Sequence, residues 1–175
     1  LWLLALAWLW LAAMTAEFGM PDWLKARPVL YLLSHMLIMP LIDLLLTGFE
    51  WLPAGRAAGG LWMFLALSFI NGCVLEIGRK LWAPEAEIAG VDTYSRLWGP
   101  RKAALVWGAC ILLSYALLLA VGLATGALTV SALLGGIGAA LCLTSAASYG
   151  KNPTPKAQKR LDTLAGLWVL ACYAI

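Results

Sequence analysis

Charged side chains are scarce in this sequence. Of its 175 residues, 12% are Asp, Glu, Lys or Arg, whereas 63% are hydrophobic. A soluble domain carries about 25% charged residues, so this scarcity excludes an ordinary soluble protein. The formal net charge of +3 is small, and the bases lie in connections between apolar runs, which excludes a nucleic-acid-binding surface. The ten Trp and seventeen Gly are instead typical of a protein that lies in a bilayer.

Metal-binding and redox motifs of cysteine and histidine are also missing. The four cysteines lie singly in apolar segments, without a Cys-x-x-Cys pair, so we interpret them as small buried side chains. The start has neither an initiator Met nor the basic region of a signal peptide. We therefore expect a fragment of a longer membrane protein.

Long apolar runs dominate what is present. A membrane-crossing helix needs about 20 mostly apolar residues, and six runs are candidates, although the sixth is too short to finish crossing. They cover residues 1–20, 28–49, 60–78, 103–125, 127–149 and 161–175. Pro40, in the middle of the second run, predicts a kink. The sequence thus predicts one all-α transmembrane domain over residues 1–175, a polytopic helical bundle.

The bases predict the orientation of this bundle. Eleven of the 12 Lys and Arg residues follow the first, third or fifth run, and only Arg56 falls on the opposite side. Because basic loops stay in the cytoplasm, we expect a multi-pass cell-membrane protein with its charged loops on the cytoplasmic side.

One connection gathers both signs of charge. The stretch EIGRKLWAPEAEIAGVDTYSRLWG, residues 76–99, carries four acids and three bases, and residues 79–102 form the predicted cytoplasmic cap loop. One interpretation is a solvated loop whose bases only set the topology. However, long loops are often functional, and the hydrophobic residues of this one argue against disorder. A carboxylate at the end of an apolar helix, as at Glu76, also needs a partner or a metal.

A diphosphate would use such a mixture of charges, since carboxylates hold Mg²⁺ and Lys or Arg contact the remaining oxygens. The run GVDTYSRLWGPRKA resembles the segment after the second Asp-rich motif of the UbiA superfamily of intramembrane prenyltransferases. The matching positions are Gly90, Val91, Thr93, Leu97 and Gly99. The family has nine spans with an active site near the cytoplasmic face, so this chain would supply the last six.

The resemblance implies a Mg²⁺-dependent prenyltransferase that moves an isoprenoid group from a prenyl diphosphate to a hydrophobic or aromatic acceptor. The usual Asp-x-x-x-Asp pair is replaced, and its plausible equivalents, Glu76 and Glu87, are eleven residues apart. Both are predicted to be catalytic metal ligands. The remaining predicted site residues are Glu85 and Asp92 as substitute metal ligands, and Asn71, Arg79, Lys80, Tyr94 and Arg96 as substrate-binding residues. The family's first acidic motif is absent from this chain.

Other polar groups inside the spans have two interpretations each. His35 shares a helix face with Tyr31 and is either a base for the acceptor or a helix-packing residue; Asp43 follows the Pro40 kink and is either functional or paired with nearby backbone. The run LLGGIGAAL predicts close helix packing rather than phosphate binding.

The alternative function is a non-catalytic UbiA-like membrane protein or a transporter component, which the altered spacing of the acids favours. A CDP-alcohol type transferase would need an Asp-Gly-x-x-Ala-Arg motif, which this sequence lacks.

Overall fold

A computed structural model describes all 175 residues and contains helices and no strands. The α-helices are α1 (Trp2–Thr15), α2 (Pro21–Lys25), α3 (Pro28–Met36), α4 (Ile38–Ala54), α5 (Leu61–Arg79), α6 (Tyr94–Trp98), α7 (Pro100–Thr125), α8 (Leu128–Lys151) and α9 (Pro155–Ala174). Two short 3₁₀ turns complete the secondary structure. The predicted all-α class is confirmed.

The chain divides into two compact units, Leu1–Cys73 and Val74–Ile175, and the boundary falls within α5. The prediction of a single transmembrane domain over the whole chain stays a prediction.

The first unit begins with a helix that is shorter than predicted. The apolar run of residues 1–20 predicted a span, but α1 has 14 residues, fewer than the roughly 20 needed to cross a bilayer. The helix stops where Glu17, Phe18 and Gly19 all adopt positive φ angles of 47° to 71°. Left-handed residues cannot continue a right-handed helix, so the chain turns before α2 begins at Pro21.

The second apolar run is interrupted close to the predicted kink. Helix α3 ends at Met36 and α4 begins at Ile38, with Leu37 between them. Pro40 has no N–H to donate to the carbonyl of Met36, one helical turn earlier. The loss of that hydrogen bond explains why the interruption lies three residues before the proline.

The second unit is organised around an antiparallel hairpin of α7 and α8. Small residues bring the two helices close together: a Cβ placed on Gly122 would lie 2.9 Å from the Cβ of Ser131, and one on Gly135 would lie 2.9 Å from Leu118. Trp168 of α9 packs over Gly138, and its indole N–H donates to Ser114 Oγ at 2.9 Å. The prediction that the Gly135–Gly138 region packs helices is therefore confirmed.

Four helices are long and apolar enough to cross a membrane: Pro28–Ala54, in which α3 and α4 are taken together, Leu61–Arg79, Pro100–Thr125 and Leu128–Lys151. Membrane association follows from these four. The sixth predicted span, residues 161–175, belongs to α9, which begins earlier at Pro155 and carries Lys156, Lys159 and Arg160 in its first half. Six spans, their orientation and a relation to the UbiA fold stay predictions.

Candidate functional site

The charged connection between α5 and α7, residues 80–99, is a folded element of the second unit. Leu81 and Ala83 are fully buried. The Tyr149 hydroxyl of α8 donates to the Trp82 carbonyl at 2.6 Å, and the Ala83 N–H donates to Gln158 Oε1 of α9 at 2.8 Å. Because two different helices bond its backbone, this connection has a fixed position on the ends of α8 and α9.

Two glycines shape the turns of the connection. Gly90 has φ +83° and Gly99 has φ +80°, a region that side chains with a Cβ rarely adopt. Gly99 comes directly before Pro100, so the turn sets the point at which α7 begins. These two positions of the GVDTYSRLWG motif therefore have a backbone reason to be glycine.

A carboxylate lies at the centre of the connection. Glu87 accepts hydrogen bonds from Thr93 Oγ1, at 2.6 Å to Oε1 and 2.8 Å to Oε2, and from Ser95 Oγ at 2.9 Å to Oε1. Thr93 is fully buried and Ser95 nearly so, whereas Glu87 is half-buried. We call Glu87, Thr93 and Ser95 the Glu87 cluster.

The two hydroxyls of this cluster link backbone N–H groups to the carboxylate of Glu87 through hydrogen bonds. The Arg96 N–H donates to Thr93 Oγ1 at 3.1 Å, which makes Thr93 the N-cap of α6. The Trp82 N–H donates to Ser95 Oγ at 2.8 Å. Each hydroxyl thus accepts from a backbone N–H and directs its single proton toward Glu87. These hydrogen bonds hold the carboxylate of Glu87 in one orientation.

Glu76, the other predicted metal ligand, lies at the end of α5 and has a different partner. Its Oε1 is 2.8 Å from Lys80 Nζ, an i,i+4 ion pair on one face of the helix. The Lys80 carbonyl accepts from the Tyr94 N–H at 3.1 Å, so the residue that pairs with Glu76 also fixes the start of α6. Glu76, on α5, and Glu87, in the connection, thus have different partners: Lys80 pairs with Glu76, and Thr93 and Ser95 donate to Glu87.

The remaining predicted residues divide by exposure. Glu85, Asp92, Arg79 and Arg96 are exposed, and neither arginine enters an ion pair. Tyr94 is 4% exposed, and its ring centroid lies 4.8 Å from that of Trp98. The two arginines are thus accessible to a ligand, whereas Tyr94 is part of the packing of the connection.

Whether these residues fit Mg²⁺ depends on how many carboxylates the ion needs. The structure gathers no group of three or more His, Cys, Asp or Glu side chains that could hold a metal. However, Mg²⁺ is usually held by one or two carboxylates together with waters and substrate phosphates, and carboxylate ligands are themselves hydrogen-bonded by neighbours. Glu87 receives two hydroxyl protons, one from Thr93 that is shared between both carboxylate oxygens and one from Ser95, which leaves lone pairs for a further ligand. Mg²⁺ binding at this connection stays a prediction.

Polar groups of the first unit have structural partners. His35 Nδ1 lies 2.9 Å from the Tyr31 carbonyl, and the two rings stack with centroids 4.0 Å apart, which supports the helix-packing interpretation. Asn71, on α5, and Asp43, on α4, are both buried. The assignment of Asn71 to substrate stays a prediction.

Sequence reasoning missed the residues that hold the connection in place. Thr93 has a detectable signal, since a Thr three residues before the Arg96 N–H is a typical N-cap. Tyr149 and Gln158 lie 67 and 75 residues from the backbone groups that they bond. No local pattern indicates partners at that separation.

Comparisons of the chain with protein-family models, with curated proteins and with solved structures find no match. The resemblance to the UbiA superfamily consequently stays a prediction from the residues of the connection.

Proposed function

We propose that this chain is part of an integral membrane prenyltransferase of UbiA type, which moves an isoprenoid group from a prenyl diphosphate to a hydrophobic or aromatic acceptor with the help of Mg²⁺. The observation that carries the proposal is the Glu87 cluster. It is a carboxylate held by two buried hydroxyls, in an ordered connection at the ends of apolar helices. A connection that only set the topology would need no such arrangement.

Each side chain has a role that follows from its charge and contacts. Glu87 and Glu76 would hold the metal, and Glu85 or Asp92 would substitute for one of them. Thr93 and Ser95 would position Glu87 through the hydrogen bonds described above. Arg79 and Arg96 are exposed and free of carboxylate partners, so they would contact the phosphate oxygens, which guanidinium groups bind in bidentate fashion.

When bound, Mg²⁺ would neutralise part of the charge that develops on the departing diphosphate. The arginines act on the same charge from the protein side. Lys80 would move between two acceptors, because its ammonium group pairs with Glu76 in the structure and a diphosphate offers a second anion. The apolar helices exclude water from the isoprenoid chain.

The test is a diphosphate-release assay on the full-length protein in nanodiscs, with farnesyl diphosphate and Mg²⁺. Glu76→Gln and Glu87→Gln should each lower the rate by about 100-fold or more, the effect of removing one well-placed charge-stabilising group. Glu50→Gln, an exposed acid outside the connection, is the matched control and should keep the wild-type rate. Wild-type rates in both Glu76→Gln and Glu87→Gln would refute the assignment.

A non-catalytic UbiA-like protein or a transporter component is the second candidate. The observation that favours it is that Glu76 and Glu87 already have protein partners and no third acid joins them. In that case the protein binds a lipid or a transported substrate without diphosphate release, and the wild-type protein gives no signal in the same assay.

A further inference from the structure

A groove lies between α7 and α8. Its volume is about 400 Å³. The walls are made mainly of alanine, glycine and leucine, and the only charged residues that line it are Arg101 and Lys151. An apolar cleft that ends in two cations has the charge distribution of a site for an amphipathic anion.

The antiparallel packing of the hairpin places both cations at one end. A Cβ built on Gly150 would lie 3.7 Å from the Arg101 Cα and 3.5 Å from the Ala104 Cβ, so the start of α7 adjoins the end of α8. Further along, a Cβ on Gly108 would lie 3.4 Å from Leu143. The groove therefore runs from a positively charged mouth toward the middle of the helices.

The length of the groove matches one leaflet of a membrane. Its lining on α7 extends from Arg101 to Leu112, which at about 1.5 Å per residue is roughly 16 Å. The hydrocarbon core of a bilayer is about 30 Å thick, so half of it is about 15 Å. A lipid whose headgroup lies at the charged mouth would have its acyl chain along the whole groove.

Both cations are available to a ligand. Arg101 and Lys151 are exposed, and neither forms an ion pair with a carboxylate. Basic pockets between transmembrane helices bind the headgroups of anionic lipids. We propose that this groove binds an anionic phospholipid, with the phosphate between Arg101 and Lys151 and one acyl chain against the small residues of α7 and α8.

Other occupants fit less well. A helix of another chain would need a continuous apolar face, whereas this cleft is charged at one end, where Arg101 and Lys151 line it. A zwitterionic lipid would carry a cation of its own to the same mouth. The inference is independent of the proposed prenyl transfer, because it uses no residue of the Glu87 cluster.

The experiment measures the association of spin-labelled lipids with the full-length protein in phosphatidylcholine vesicles. Wild-type protein should prefer labelled phosphatidylglycerol to labelled phosphatidylcholine. One basic residue at a membrane surface contributes about a fivefold preference for anionic lipid, so Arg101→Gln/Lys151→Gln should reduce the preference at least fivefold. The control, Lys102→Gln/Lys159→Gln, removes the same charge from exposed residues outside the groove. Equal losses in both double variants would overturn the proposal.

A second variant tests the acyl-chain part of the site without a change of charge. Ala147 is exposed and lines the groove, so Ala147→Phe should fill the cleft, leave the fold intact and lower phosphatidylglycerol association. Unchanged association in this variant would overturn the proposal. If inorganic phosphate alone displaces the labelled lipid, the charged end at Arg101 and Lys151 is a site for a free anion. If farnesyl diphosphate displaces the lipid at equal concentration, the groove is a site for the prenyl donor. Either result would also overturn it.

Discussion

The buried hydroxyl of Thr93 offers the sharpest test of the Glu87 cluster. It caps α6 through the Arg96 N–H and donates to Glu87. Thr93→Val keeps the shape of the side chain and removes both interactions. Loss of an N-cap costs about 1 kcal/mol, and loss of a hydrogen bond to a charged group costs about 1.5–3 kcal/mol. The free energy of local opening should therefore fall by about 2.5–4 kcal/mol.

Hydrogen exchange read by mass spectrometry measures this opening directly. With tenfold for each 1.4 kcal/mol, amides of residues 80–99 should exchange about 60- to 700-fold faster in Thr93→Val. Thr154→Val is the matched control, because Thr154 also caps a helix, through the Ala157 N–H at 3.3 Å, but bonds no carboxylate in the structure. Its effect should be about fivefold and confined to the start of α9.

Thr93→Ser keeps the hydroxyl and should protect the connection nearly as well as wild type. If Thr93→Val accelerates exchange no more than Thr154→Val, the hydroxyl contributes only a helix cap. The account of the Glu87 cluster would then be wrong.

Two further predictions concern the packing of the second unit. Tyr149→Phe removes the hydrogen bond to the Trp82 carbonyl and should lower the free energy of unfolding by about 1 kcal/mol. Amide hydrogen exchange in residues 80–99 should become faster. The control, Tyr115→Phe, loses a similar bond to the Ala132 carbonyl and should leave exchange in that segment unchanged. Gly78→Ala should lower the free energy of unfolding by about 1–3 kcal/mol, since its Cβ would lie 2.6 Å from Ala165. Gly166→Ala, which meets nothing within 4 Å, should be neutral or stabilising in the same thermal unfolding series.

The apolar helices were predictable because the bilayer imposes a length on them. Residues 60–78 and 127–149 were predicted from about 20 apolar residues each, and α5 and α8 begin and end within two residues of those bounds. Helix α7 begins at Pro100, three residues before the predicted start, since proline is favourable at a first helical position even where bases follow it.

The end of α1 was not predictable from hydrophobicity. The only polar side chains in the run to residue 20 are Thr15 and Glu17, but the backbone becomes left-handed at Glu17 and Phe18, neither of which has the freedom of glycine. The hydrophobic pattern of a sequence predicts which segments form helices. It does not predict the residue at which the chain turns. Glu17 and Gly19 are the only local signs of this turn in the sequence.

The order of the connection was predicted from its hydrophobic residues, but its internal contacts were not, and its role as a functional site stays a prediction. The concentration of charge in residues 76–99 identified the connection, and Glu87 was selected by its position before Gly90. Its partners Thr93 and Ser95 depend on the turn at Gly90, whose φ of +83° folds the chain back on itself. The Tyr149 and Gln158 contacts depend on how three helices pack, which a single sequence does not specify.

Titration calorimetry of farnesyl diphosphate with the full-length protein, with and without Mg²⁺, tests the proposed metal and diphosphate site directly. We expect binding that requires Mg²⁺ in the wild type and in Glu50→Gln, and that is lost in Glu87→Gln. Binding that is equally tight without Mg²⁺, or that survives Glu87→Gln unchanged, would contradict the claim that this connection holds a metal and a diphosphate.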